Sequence, residues 1–219
     1  MRALQADTSL SGVYASWHTF VGIRDFDPSQ LVPAYSPYPL LDKAQSTDHI
    51  GNLLKGWYLH PSSIVFRKLP LQQISGFNET LKVNQDVDLL FRFLVQSYMI
   101  QGIEAPPSLV RAHMQQRVGV IGAADTDKME TMFALREEFV SILQQHERFT
   151  IPYQQALGEF CFYRFTEYQS LHPKIAERFY DLSQKLYPEY QIKGGLWIRV
   201  LAKIIGNKRA VLVKKMISK

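Results

Sequence analysis

Gly76-Phe77-Asn78-Glu79-Thr80-Leu81-Lys82-Val83-Asn84-Gln85-Asp86-Val87-Asp88-Leu89-Leu90-Phe91-Arg92-Phe93-Leu94 is the stretch around which the chain organises itself. A glycine marks a turn, a polar loop follows, and two aspartates open an apolar run that contains one arginine. Val87, Leu90, Phe91, Leu94 and Val95 recur at helical spacing, which predicts a helix over residues 86–97 with one apolar face. Acidic side chains suit its first turn, where free N–H groups and the helix dipole favour negative charge. A carboxylate held at such an edge is placed to take a proton from a bound hydroxyl.

Upstream, residues 10–20 read as a strand, with Val13, Tyr14, Trp17 and Phe20 supplying β-favouring bulk. Four prolines make residues 25–40 a loop. Residues 47–54 read as a short helix started by Thr47 or Asp48, and 62–67 as a buried strand. Residues 68–75 form a turn of helix stopped by Gly76. Downstream, 98–104 and 108–114 read as two strands around Pro106-Pro107. After about residue 119 the pattern becomes helical: 125–146, 152–171, then a helix opened by Pro173 and ended by Pro188. One or two more follow, broken near Gly206-Asn207. The expected architecture is an α/β segment over residues 1–118 followed by an all-helical region over 119–219.

The chain has 219 residues and 46% apolar content, enough for a sizeable core. A single cysteine, Cys161, leaves no internal disulfide and no Cys-based zinc site, as expected of a reducing, cytoplasmic compartment. Its aromatic neighbours Phe160, Phe162 and Phe165 predict a buried, inert thiol. No early apolar run has the length of a signal peptide or a membrane span. The net charge of +5 is placed unevenly: residues 191–219 hold eight basic side chains and no acidic ones, while the remainder nets −3. Basicity therefore belongs to the tail, and a nucleic-acid role does not follow from it.

The Gly76–Leu94 stretch resembles the acceptor half of inverting family-2 glycosyltransferases, whose pattern runs Gly-Phe-Asp/Asn-Glu, a short gap, then Glu-Asp-x-Asp-Leu and a helix with an arginine. Three other pieces are similar in order and spacing. Leu59-His60-Pro61-Ser62-Ser63-Ile64-Val65-Phe66-Arg67-Lys68 is similar to the strand before the turn. Pro106-Pro107-Ser108-Leu109-Val110-Arg111-Ala112-His113-Met114-Gln115-Gln116 is similar to a Pro, Leu-x-x-Arg-x-His pattern. Val13-Tyr14-Ala15-Ser16-Trp17 is similar to the strand after the donor-binding half. Two positions depart from the pattern: Gln85 stands for its Glu, and Ser75 for its second glycine. The resemblance covers about residues 10–118. It implies a partial GT-A fold, a Rossmann-like mixed sheet. The nucleotide-binding half and its Asp-x-Asp metal motif would precede residue 10, so the chain is expected to be a fragment or remnant. Asp25-Phe26-Asp27 has that spelling at the wrong position.

The resemblance also assigns roles. Asp86 falls on the catalytic base, with a plain helix cap as the alternative. Asp88 is an acceptor-side residue, a cap or an arginine partner. His113 falls on a histidine that completes a metal shell in some members, with a surface histidine at a strand end as the alternative. Arg111 is expected to pair with a carboxylate or donor phosphate. His60 and Trp57 are candidates for lining an acceptor pocket, with burial in the core the better reading for Trp57. A complete enzyme would use Mn²⁺ or Mg²⁺, although this chain alone would bind none.

The tail reads as an amphipathic helix: Leu196, Trp197, Val200, Leu201, Ile204 and Ile205 are apolar, and Arg199, Lys203 and Lys208 polar. That is the profile of a peripheral helix on an anionic membrane surface, or of a helix packed on its own domain. Two functions of different class remain. One is transfer of a sugar from a nucleotide-sugar donor to a glycan or lipid-linked acceptor. The other is a non-catalytic membrane-associated or protein-binding module.

Overall fold

The computed structural model describes residues 2–20, 32–33, 48–57, 59–111 and 125–217. The chain is mixed α/β first and helical afterwards, with a small mixed sheet region, as its periodicity predicts. It forms two compact units, Met1–Tyr153 and Gln154–Lys219. The change of character near residue 119 is thus a change of secondary structure, and the division between units comes later.

A short helix, α1 (Arg2–Ala6), opens the first unit. The extended run expected over residues 10–20 is two strands, β1 (Leu10–Tyr14) and β2 (Trp17–Phe20), broken at Ala15 and Ser16. Inside the proline-rich segment, Val32 and Pro33 form a two-residue strand, β3. The rest of that segment, with Asp25-Phe26-Asp27, lies outside the described residues. Helix α2 (His49–Leu54) starts where Asp48 accepts the Gly51 N–H at 2.9 Å. A 3-10 turn, Pro61–Ser63, leads into β4 (Ile64–Phe66). Then come α3 (Lys68–Gln73), α4 (Gln85–Val95), β5 (Met99–Gly102) and β6 (Ser108–Arg111). Helix α5 (Thr126–Gln145) completes the elements that lie wholly within this unit.

Strand β1 lies between β4, antiparallel, and β5, parallel, with Val13 opposite Val65 and Gln101. Strand β2 lies between β3, antiparallel, and β6, parallel, with Trp17 opposite Ser108. The two sheets are successive parts of one extended path. Ile103 donates its N–H to the Tyr14 carbonyl at 2.8 Å, and Ser108 donates to Ser16 at 3.0 Å. Between them the chain loops out at Pro106-Pro107, which have no N–H to offer a ladder. The parallel pairing of β1 with β5 requires a crossover. That connection includes α2, β4, α3 and α4, with α4 leading into β5.

Helix α4 is buried on more than the one face its spacing predicts: Val87, Leu89, Leu90, Phe91, Phe93, Leu94 and Val95 are all buried. Phe91 stacks on Phe139 of α5 with centroids 3.7 Å apart, and Phe93 meets Phe66 of β4 at 4.8 Å. A helix covered on several sides must be apolar on several sides. Its first turn is the exception that matters for function.

The second unit holds the remainder of α6 (Ile151–Tyr168), α7 (Pro173–Leu186), α8 (Leu196–Ile205) and α9 (Asn207–Ile217). Leu157, Phe160, Cys161, Phe165, Ile175, Ala176 and Phe179 are buried, Cys161 fully. Gly158 lets α7 approach closely: a Cβ there would lie 2.7 Å from the Cβ of Tyr187. The Ser183 hydroxyl donates to the Gly158 carbonyl at 2.8 Å across the same contact.

Candidate functional site

The loop before α4 is built by local side-chain bonds. The Asn78 carboxamide oxygen accepts from the Thr80 N–H at 3.1 Å and the Thr80 hydroxyl at 2.7 Å, an Asx-type turn. Asn84 then takes a left-handed conformation, φ +62°, and starts the helix, its carbonyl accepting from the Asp88 N–H at 2.9 Å. Gln85 donates Nε2 to the Leu81 carbonyl at 2.7 Å. A glutamate cannot donate to a carbonyl, so the Gln at this position has its own structural use.

Asp86 and Asp88 face different environments. Asp86 is half-buried and its Oδ1 accepts from the Val87 N–H at 2.9 Å. Burial raises its carboxyl above the usual carboxylate value, opposed by the Val87 hydrogen bond and by electrostatic interaction with His60 and Arg136. Asp88 is 1% exposed. Its Oδ2 accepts from Arg92 Nε at 3.0 Å and Nη2 at 2.6 Å. Arg92 continues to the Ile74 carbonyl (Nη1, 2.5 Å) and the Gly76 carbonyl (Nη2, 2.8 Å). Asp88 is therefore an arginine partner that locks the Gly76 turn to the helix, with no surface for an acceptor.

His60 caps the 3-10 turn. Its Nδ1 accepts from the Ser62 N–H at 3.3 Å and lies 2.8 Å from the Ser62 hydroxyl. Accepting from a backbone N–H requires the lone pair on Nδ1, which puts the neutral ring's proton on Nε2. The His60 ring lies against Trp17, centroids 5.3 Å apart. Trp17, His60 and Asp86 thus come from the start of β2, the approach to β4 and the first turn of α4. The His60 imidazole lies within electrostatic range of the Asp86 carboxylate, and the Trp17 ring lies against that imidazole. A half-buried carboxylate of raised basicity is chemically able to take a proton from a hydroxyl.

Trp57 is 3% exposed, with its ring edge-on to Tyr14 and His49 at 5.8 and 5.5 Å. It is a core residue, with no open face for a sugar. The Tyr14 hydroxyl lies 3.3 Å from His49 Nε2. Burial pushes the Tyr14 phenol up to about 12 and the His49 imidazole down. Gly102 admits the Tyr14 ring, since a Cβ there would meet its Cζ at 3.1 Å.

Arg111 ends β6 opposite Phe20. His113 lies outside the described residues. Among the described residues no group of three or more His, Cys, Asp or Glu side chains is arranged to hold a metal ion. The residues described here do not themselves fit the expected divalent cation. A separate open concavity of about 630 Å³ in the second unit is lined by Glu159, Tyr187, Glu189, Tyr190, Gln191 and Lys193, and holds none of the expected site residues.

Sequence reading missed the contact of Trp17 with His60 and the Tyr14–His49–Trp57 cluster. No local signal announces either, because each joins residues dozens of positions apart. Compared with protein-family models, with curated proteins and with solved structures, the chain matches none.

Proposed function

We propose that the first unit is the acceptor-side half of an inverting family-2-type glycosyltransferase with a partial GT-A fold, acting on a glycan or lipid-linked hydroxyl. The observation that carries this reading is Asp86: a half-buried carboxylate of raised basicity on the first turn of α4, with the His60 imidazole in electrostatic range. In the reaction Asp86 accepts the hydroxyl proton as the oxygen attacks the sugar's anomeric carbon, and the nucleoside diphosphate leaves from the opposite side. Trp17 supplies an aromatic face for the acceptor ring, and His60 Nε2–H a donor for one of its oxygens.

The turn before α4 supports the same reading. Ser75 and Gly76 are both left-handed, φ +63° each. Two consecutive left-handed residues are what a Gly-Gly pair accommodates most easily, so the pattern's second glycine answers a backbone need that Ser75 meets here with some strain. Arg92 bridges that turn to Asp88, which accounts for the arginine of the pattern.

The test is transfer from UDP- and GDP-sugars to a panel of glycan acceptors by this half joined to a donor-binding half, read by mass spectrometry, with glycan binding by the chain alone measured in parallel. Asp86→Asn should lower turnover by about 10² to 10⁴ and leave glycan binding nearly unchanged. Full turnover in Asp86→Asn refutes the assignment of the base. No glycan binding by the chain, and no turnover when it is joined to a donor-binding half, would leave the non-catalytic module, a reading favoured by the exposed apolar residues of α8.

A further inference from the structure

Helix α8 is apolar on two opposite faces. Ile198 is 1% exposed, and Leu201, Ala202 and Ile205 on the same side are half-buried, so this face is spent on packing. On the other side, Leu196, Val200 and Ile204 follow at i, i+4 and i+8, exposed to 71, 47 and 73%, with Trp197 beside them at 51%. Arg199 and Lys203, also i and i+4, run exposed along one edge of this stripe. Helix α9 packs on α8 and adds exposed Arg209, Leu212, Lys214 and Met216. Sequence pattern offered two alternatives, an interfacial helix or one packed on its own domain. The structure satisfies the second with one face and leaves an aliphatic and tryptophan face over.

We propose that this outward face of α8 docks the protein on an anionic lipid bilayer. The occupant follows from chemistry. Residues 191–219 contain no acidic side chain, and among the described residues Lys193 pairs with Glu159 and Lys208 with Glu177, carboxylates of α6 and α7. Arg199 and Lys203 border an apolar stripe that ends in a tryptophan, the residue that favours the headgroup boundary. A protein partner would need acidic groups flanking an apolar groove, whereas an anionic leaflet presents both features everywhere. Among the described residues no helix is long and apolar enough to cross a membrane. This inference stands apart from the transfer chemistry.

The experiment uses the full chain and vesicles of phosphatidylcholine with or without phosphatidylserine. Truncation is unsuitable, because Ile198, Ala210 and Val211 belong to the core. Val200→Asp with Ile204→Asp alters only the outward face. The unsubstituted protein should co-sediment with phosphatidylserine vesicles, release as salt rises, and show a blue shift that Trp197→Phe removes. The double variant should keep its helical circular dichroism and lose at least about tenfold in binding, and Arg199→Glu with Lys203→Glu should bind the anionic vesicles more weakly. Three results overturn the proposal. One is no difference between vesicle types, and another is equal binding by the Asp variants. The third is concentration-dependent self-association, abolished by those variants, without vesicle binding, which would assign the face to a second copy of the chain.

Discussion

Replacing Asp88 or Arg92 tests the structural account of the turn before α4. Asp88 is almost fully buried and its Oδ2 takes two guanidinium N–H groups, at 3.0 and 2.6 Å. Removing one partner of a buried ion pair costs about 3–5 kcal/mol, because the other charge is left without compensation. In Asp88→Ala the guanidinium keeps the Ile74 and Gly76 carbonyls and its side chain is 23% exposed, so water can reach it. The loss should sit at the low end, about 3 kcal/mol. In Arg92→Met the stranded charge is the buried one, and two carbonyls lose their donor at about 1 kcal/mol or more each, so the loss should reach about 5 kcal/mol. That is a third or more of the stability of an ordinary domain, about 5–15 kcal/mol. Asp88→Ala with Arg92→Met strands no charge and should be no worse than Arg92→Met alone. Urea unfolding in a Trp197→Phe background reads the first unit alone, since Trp17 and Trp57 then carry the fluorescence. Losses that simply add in the double variant, near 8 kcal/mol, would show that the two side chains act independently and refute the reasoning.

Asp86→Asn should stabilise the protein at neutral pH. Burial raises the carboxyl above 3.8, so ionised Asp86 costs stability above its folded value, and thermal melts of the two proteins should converge as pH falls toward 3.8. His49 has the opposite sign of pH dependence. Burial lowers its folded value below 6.5, so its contribution is full above 6.5 and is lost as pH falls below it; denaturant titrations across that range should be flatter for His49→Phe. Gly158→Ala should destabilise despite a helix-propensity gain of about 1 kcal/mol, since overpacking costs about 1–3 kcal/mol. The new methyl would meet Tyr187 at 2.7 Å, and urea melts should show a net loss.

Periodicity alone located the long helices. The observed α4, α5, α6 and α7 start and stop within two or three residues of their expected bounds, because capping groups, prolines and apolar spacing are local signals. The strand at 10–20 was legible from its bulky residues, but its break at Ala15-Ser16 was not, since it depends on where β5 and β6 part company. Helix α1 is too short for a period, and β3 contains a proline, so neither left a pattern.

Asp86 was legible as a candidate because acidic residues at a helix start follow a spacing rule within one segment. What surrounds it was not. Trp17 and His60 come together through sheet pairing, Trp57 turned inward because Tyr14 and His49 fill the space beside it, and Asp88 went to Arg92. The tail shows the same division. Its composition marked α8 as apolar and basic, and packing alone chose which apolar residues face inward. Residue types and their spacing along the chain set the helices, the caps and the placement of charge. Contacts between residues far apart in the chain decide which of those groups meet and which remain exposed, because burial is a property of the assembled core and not of any one segment.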